Sequence, residues 1–156
     1  MTPCKICGSP TQQVFKKVIL GKYPSAYYRC DACGFMQTDT PVWLEEAYAS
    51  AITALDIGLV DRNLQLRDRV ASIIDHCFPD GKRMLDYGGG YGLFVRMMRD
   101  RGYEFYRQDS YCENLFAKHF DHTDISENHF DLLTSFEVFE HFENPMYEIE
   151  KMFNLS

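Results

Sequence analysis

Between residues 10 and 30 the apolar positions are β-branched or aromatic. Val14, Val18, Leu20, Tyr27 and Tyr28 read as strands, with Gly21-Lys22-Tyr23-Pro24-Ser25 as the connecting turn. From Thr40 the pattern turns helical. Thr40-Pro41 reads as an N-cap followed by proline at the first helical position, and Trp43, Leu44, Ala47, Tyr48, Ala51, Ile52 and Leu55 supply an apolar side. Trp43 and Tyr48 are expected to pack this helix against its neighbours. A second amphipathic helix is predicted over 61–78, where Leu66, Val70, Ile73, Ile74 and Cys77 recur at helical spacing, and Pro79-Asp80-Gly81 ends it.

Strand and helix then alternate. Residues 83–87 form a short apolar run leading into Gly88-Gly89-Gly90-Tyr91-Gly92, and 93–99 return to helical text stopped by Gly102. Further strands are predicted over 103–109 and 130–136, a helix over 113–120, and a last helix capped by Asn144-Pro145 with Met146, Ile149, Met152 and Phe153 on its apolar side. This alternation predicts an α/β fold, a mostly parallel sheet flanked by helices. Arg96, Arg99 and Arg101 read as a solvated helix end, and 121–128 as a solvated connection.

Two copies of C-x-x-C-G precede this region: Cys4-Lys5-Ile6-Cys7-Gly8 and Cys30-Asp31-Ala32-Cys33-Gly34. Two residues between thiolates let a tight turn aim both sulfurs at one ion, and the following glycine accepts the positive φ of such a turn. Cys4, Cys7, Cys30 and Cys33 are therefore read as ligands of one Zn2+ in a zinc ribbon, two disulfides being the alternative. Cys77 and Cys112 have no partner at ligand spacing and read as small buried hydrophobes. The domains expected are a ribbon over 1–39, a linking helix over 40–61 and a larger domain over 62–156.

Charge separates the two parts. Residues 1–40 hold five Lys/Arg against two acids, while the whole chain has a net charge of −7, so the remainder carries −10. Neither part has the basic footprint of a nucleic-acid binder. No apolar run approaches the length of a membrane span, and Met1-Thr2-Pro3-Cys4-Lys5 opens no signal peptide, so a cytoplasmic protein with no membrane partner is expected.

The glycine loop is the place for a ligand. Gly88, Gly90 and Gly92 let the chain turn between strand and helix and admit a ligand close to the main chain. A dinucleotide fingerprint would need glycine where Leu93 stands, and Asp86 just ahead of the loop repels a pyrophosphate but attracts a ligand bearing an ammonium and a sulfonium. Asp109, at the end of the next strand, is placed to accept hydrogen bonds from ribose hydroxyls.

On these residues a resemblance becomes specific. The run from Leu85 to Gly92 resembles the first motif of the class I S-adenosylmethionine-dependent methyltransferases, and Phe130 to His141, with Asn144-Pro145 after it, resembles their fourth-strand motif. The resemblance spans roughly residues 62 to 155. It implies a Rossmann-like fold and S-adenosylmethionine as cofactor, with Asp86, Gly88, Gly90 and Gly92 on its methionine part and Asp109 on its ribose. The stretch from Glu137 to His141 would form the rim of the active site, and the segment near Asp124 and Ile125 would flank the adenine. A zinc ribbon ahead of such a domain is similar to sugar-modifying and related small-molecule methyltransferases. Members continue into at least three more strands, so the chain is expected to be C-terminally truncated and to lack part of its acceptor pocket.

Methyl transfer from a sulfonium requires alignment and exclusion of water, and a base only where the acceptor must lose a proton. His141 is the candidate base because an imidazole titrates near neutrality; Glu137 and Glu140 follow it. His141 as a helix-start residue bonded to a backbone carbonyl is the competing reading. His119, His122 and Asp124 suit a polar loop better than a second metal. Three other functions stay open: a non-catalytic zinc-ribbon adaptor contacting a protein partner, an NAD-dependent oxidoreductase, and an RNA methyltransferase. Leu93 and Asp86 weigh against the second, and the acidic remainder of the chain against the third.

Overall fold

Short strands bounded by glycine turns build two separate sheets in the computed structural model, which describes residues 2–47, 56–126 and 129–155. Two compact units result: Met1–Ala49 with His141–Glu150, and Ser50–Glu140 with Lys151–Ser156.

The first unit is organised on a three-stranded antiparallel sheet, β1 (Thr11–Ile19), β2 (Tyr23–Cys30) and β3 (Met36–Thr38), in the order β1-β2-β3. The turn between β1 and β2 is Leu20-Gly21-Lys22, tighter than the sequence suggested, because Tyr23, Pro24 and Ser25 pair with Ile19, Val18 and Lys17. Pro24 is tolerated because β3 pairs only with the far end of β2, at Tyr27 to Arg29, so no ladder needs its missing N–H. Val14, Phe15, Val18 and Leu20 are all exposed, and the buried set is small: Cys4, Ala26, Cys30 and Trp43, with the polar Thr11, Ser25 and Gln37. This unit has little apolar core.

The chain stays with the sheet as far as Asp39. Its carboxylate accepts from the Ser25 hydroxyl at 2.5 Å and from the Ala26 N–H at 3.1 Å, and its own N–H donates to the Ala26 carbonyl. Helix α1 (Leu44–Ala47) therefore begins three residues later than the Thr40-Pro41 signal predicted, with the Trp43 carbonyl accepting the first helical bond from Ala47. Trp43 packs beside Tyr23, ring centroids 6.5 Å apart. The remainder of that expected helix, from Tyr48 to Leu55, lies outside the described residues.

In the second unit, α2 (Leu59–Cys77) buries Val70, Ala71 and Ile74. Its inward stripe runs through Leu66, Val70 and Ile74, while Ile73 and Cys77 face solvent, against the expectation that Cys77 is buried. Parallel strands β4 (Met84–Tyr87), β5 (Phe105–Gln108) and β6 (Leu132–Thr134) lie in the order β5-β4-β6, with α3 (Leu93–Arg99) between β4 and β5. All four residues of β4 are buried, as in a strand covered on both faces. Phe94 meets Phe105 and Phe136 edge-on at 5.5 and 5.2 Å, within a core shared with Val95, Met98 and Met84. The helix α4 (Pro145–Phe153) starts as the sequence implied, Asn144 accepting from the Tyr147 N–H at 3.3 Å.

Two further expectations fail here. The predicted helix over 113–120 is an irregular segment. Asn114 bonds the N–H and the carbonyl of Ala117 through its side chain, and Leu115 and Phe116 donate to the Tyr91 carbonyl, so the backbone groups a helix would use are engaged elsewhere. Arg99 is not solvated: its guanidinium lies 3.5 Å from the Phe120 ring centre and donates to the Phe105 carbonyl. No described helix is long and apolar enough to cross a membrane.

Candidate functional site

The strand order decides where a ligand fits. β5 lies on one side of β4 and β6 on the other, and in such sheets the crevice opens beyond the carboxyl end of the strand where the order reverses. The glycine loop follows β4 at that point. A cleft of about 180 Å³ opens there, lined by Gly88, Gly89, Gly90, Tyr91, Leu93 and Phe94 from the loop and α3. Asp86 lies beneath it, with Asp56 from just ahead of α2, Arg62 and Asn63 from its first turn, and Phe136 and Glu137 from beyond β6. At the lip, Arg62 pairs with Asp56 at 3.0 Å.

Asp86 is 4% exposed, and one carboxylate oxygen accepts from the buried Thr134 hydroxyl at 2.7 Å. Burial pushes its carboxyl up to about 7; the Thr134 bond and Arg107 work against this and Asp109 adds to it. Its other oxygen sits below Gly89, where an added Cβ would approach it to 3.0 Å. The glycines divide by role. A Cβ on Gly88 would meet Val138 at 2.5 Å, and one on Gly92, the N-cap of α3 at φ 83°, would meet Ala117 at 2.9 Å, whereas Gly90 has open space above it. Gly88 and Gly92 thus admit close packing, and Gly90 leaves room over the cleft.

The loop is held from β5. The Gln108 carbonyl accepts from Gly88 and Gly89, and the Asp109 carboxylate accepts the Gly90 N–H at 2.9 Å. The other Asp109 oxygen accepts from Tyr111 and Cys112. Arg107, 3% exposed, was not singled out by the sequence. Its Nε donates to the Gly90 carbonyl at 2.6 Å, one terminal nitrogen to Asp121 at 2.6 Å and the other to the Cys112 carbonyl. An arginine inside a buried strand requires partners, but which residues supply them is set only by the folded sheet. Arg107 also forms an isolated parallel bridge with Asp121, beside β5. The carboxylates of Asp121 and Asp124 cap the turn His122–Asp124 reciprocally.

Of the three predicted proton-transfer residues, Glu137 lines the cleft and adopts a left-handed backbone at φ 56°; Glu140 and His141 sit in the surface turn Phe139–His141. Non-glycine residues in this conformation are concentrated at functional sites.

The four cysteines meet as the spacing predicted. All four sulfurs lie within 4.8 Å of one another, with Cys4 3.6 Å from Cys33 and Cys7 3.5 Å from Cys30. In a tetrahedral thiolate site with bonds of about 2.3 Å, neighbouring sulfurs are about 3.8 Å apart, so the donor set suits zinc. Both turns close alike, Gly8 donating to the Cys4 carbonyl and Gly34 to the Cys30 carbonyl, each glycine at positive φ. Hydrogen bonding to Ser9 brings the Cys7 thiol down to about 6. No other group of metal-binding donors, His119, His122 and Asp124 included, comes together among the described residues.

The order of strands, the glycine turn and the cleft beyond it define the second unit as an α/β domain with a parallel sheet and flanking helices. Residues 60–156 match a family described as a methyltransferase domain, and the chain belongs to that family. No curated protein matches it.

Proposed function

We propose that the chain uses S-adenosylmethionine to methylate a small-molecule acceptor, a sugar or related metabolite, and that its four cysteines hold a structural zinc ion. The observation that carries the first reading is Asp86, a buried carboxyl group at the floor of a cleft whose lip holds the further acid Glu137 and the ion pair of Asp56 with Arg62. A cationic ligand relieves that buried group, whereas a dinucleotide pyrophosphate would oppose it.

S-adenosylmethionine supplies a methyl group on a sulfonium leaving group. Asp86 meets its ammonium, Gly90 leaves room for its approach, and Asp109, which accepts three backbone N–H bonds, keeps one acceptor site for a ribose hydroxyl. Glu137 at the rim and Glu140 and His141 in the following turn are the groups proposed to receive a proton from the acceptor. The zinc reading is supported by an all-thiolate donor set in a unit with little apolar core, the situation in which small modules depend on a metal.

Calorimetric titration with S-adenosylmethionine and with NAD tests the cofactor. Saturable binding of the first alone, weakened at least tenfold in Asp86→Asn, is expected; binding of NAD alone, or of neither, overturns the reading.

A further inference from the structure

The two cysteine turns are separated by 22 residues, and a metal can be held tightly only if something aligns them before it arrives. One side chain from the strand after the second turn holds the first turn on both sides of its leading cysteine. Gln37 lies in β3, the strand that leaves the second turn, and is only 6% exposed. Its carbonyl oxygen accepts the Lys5 N–H at 2.8 Å, and its amide nitrogen donates to the Pro3 carbonyl at 2.9 Å. These are the residues on either side of Cys4. The partners also fix which end of the amide is which, since an N–H can only donate and a carbonyl only accept.

Other ties act at the base of the first turn: Thr11, bonded to Thr2, pairs with Cys30 across β1 and β2, and Gln12 donates to Asp31 at 2.8 Å on the exposed side. They bring the two turns together, whereas Gln37 grips the backbone on both sides of Cys4 itself. We infer that Gln37 is a positioning residue for the metal site, setting its affinity by holding the Cys4 turn against the Cys30 turn. The inference rests on the metal reading above. Partners that orient ligands in this way change metal affinity by about 10- to 100-fold when removed.

The test is competition of the purified chain against a chromophoric chelator for Zn2+, with the visible spectrum of the Co2+-substituted form as a second readout. Gln37→Met keeps the length and removes both bonds; Gln37→Glu keeps the acceptor for Lys5, loses the donor to Pro3 and places a negative charge near the thiolates. Ser25→Ala is the control, because it breaks a buried bond of the same sheet, to Asp39, away from the cysteine turns. Expected are one tightly bound ion in the native chain and in Ser25→Ala, about 10- to 100-fold weaker binding in both Gln37 variants, and an altered cobalt ligand-field spectrum. If the native chain binds no metal, the metal reading itself falls. If it binds and the Gln37 variants match it, or if Ser25→Ala loses as much as they do, the metal reading stands and the role given to Gln37 is overturned.

Discussion

Asp86 carries a carboxyl group pushed up to about 7, against an ordinary aspartate value of about 3.9 in an unfolded chain. Between those values the folded state holds a proton that the unfolded state has released, so Asp86's own contribution to stability is most favourable below about pH 4 and is lost as pH rises towards 7. Asp86→Asn removes that penalty: denaturant titrations should find it more stable than the native chain at pH 8, by on the order of 4 kcal/mol, with the difference vanishing at pH 4. A constant difference across pH would show that Asp86 does not titrate in this range. The glycines separate in the same way. Gly92→Ala combines a left-handed backbone with a clash against Ala117 and should cost about 2 to 4 kcal/mol, whereas Gly90→Ala meets nothing and should cost about 1 to 2. Thermal melts of the two variants read the contrast directly.

Among the elements, those with strong local punctuation were legible. The run from Met84 through the glycines to Arg99, the Asn144 cap of α4 and the two cysteine turns each stand where spacing put them, because φ requirements, caps and ligand chemistry act over a few residues. The segment over 113–120 was misread because its apolar residues have helical spacing while Asn114 competes for the backbone, a rivalry composition does not reveal. The tether from β5 to the glycine loop was hidden for another reason: Arg107 reaches Gly90, Cys112 and Asp121, positions that only the folded sheet brings together. Arg107→Met should leave two carbonyls and a carboxylate without their cationic donor. A loss of about 3 kcal/mol is expected in urea unfolding, together with weaker cofactor binding; unchanged stability would mean the loop holds itself.

The molecule as a whole joins a unit poor in apolar core to one with a contiguous core around Phe94 and Val95. A chelator strong enough to strip zinc should therefore lower the unfolding transition of the cysteine-bearing unit by several degrees while leaving that of the second unit in place, as followed by calorimetry; a single transition unmoved by chelation would count against a structural metal. The sheet orders carry a consequence in time. β1 and β2 pair across a three-residue turn, whereas β4 cannot meet β6 until Met84 finds Leu132, across all the chain between them. Local pairings close faster than distant ones, so the hairpin of β1 and β2 is expected to form early, and the strand that completes the cleft on its β6 side to join later. During synthesis the cysteine turns are then brought together before the cleft is built.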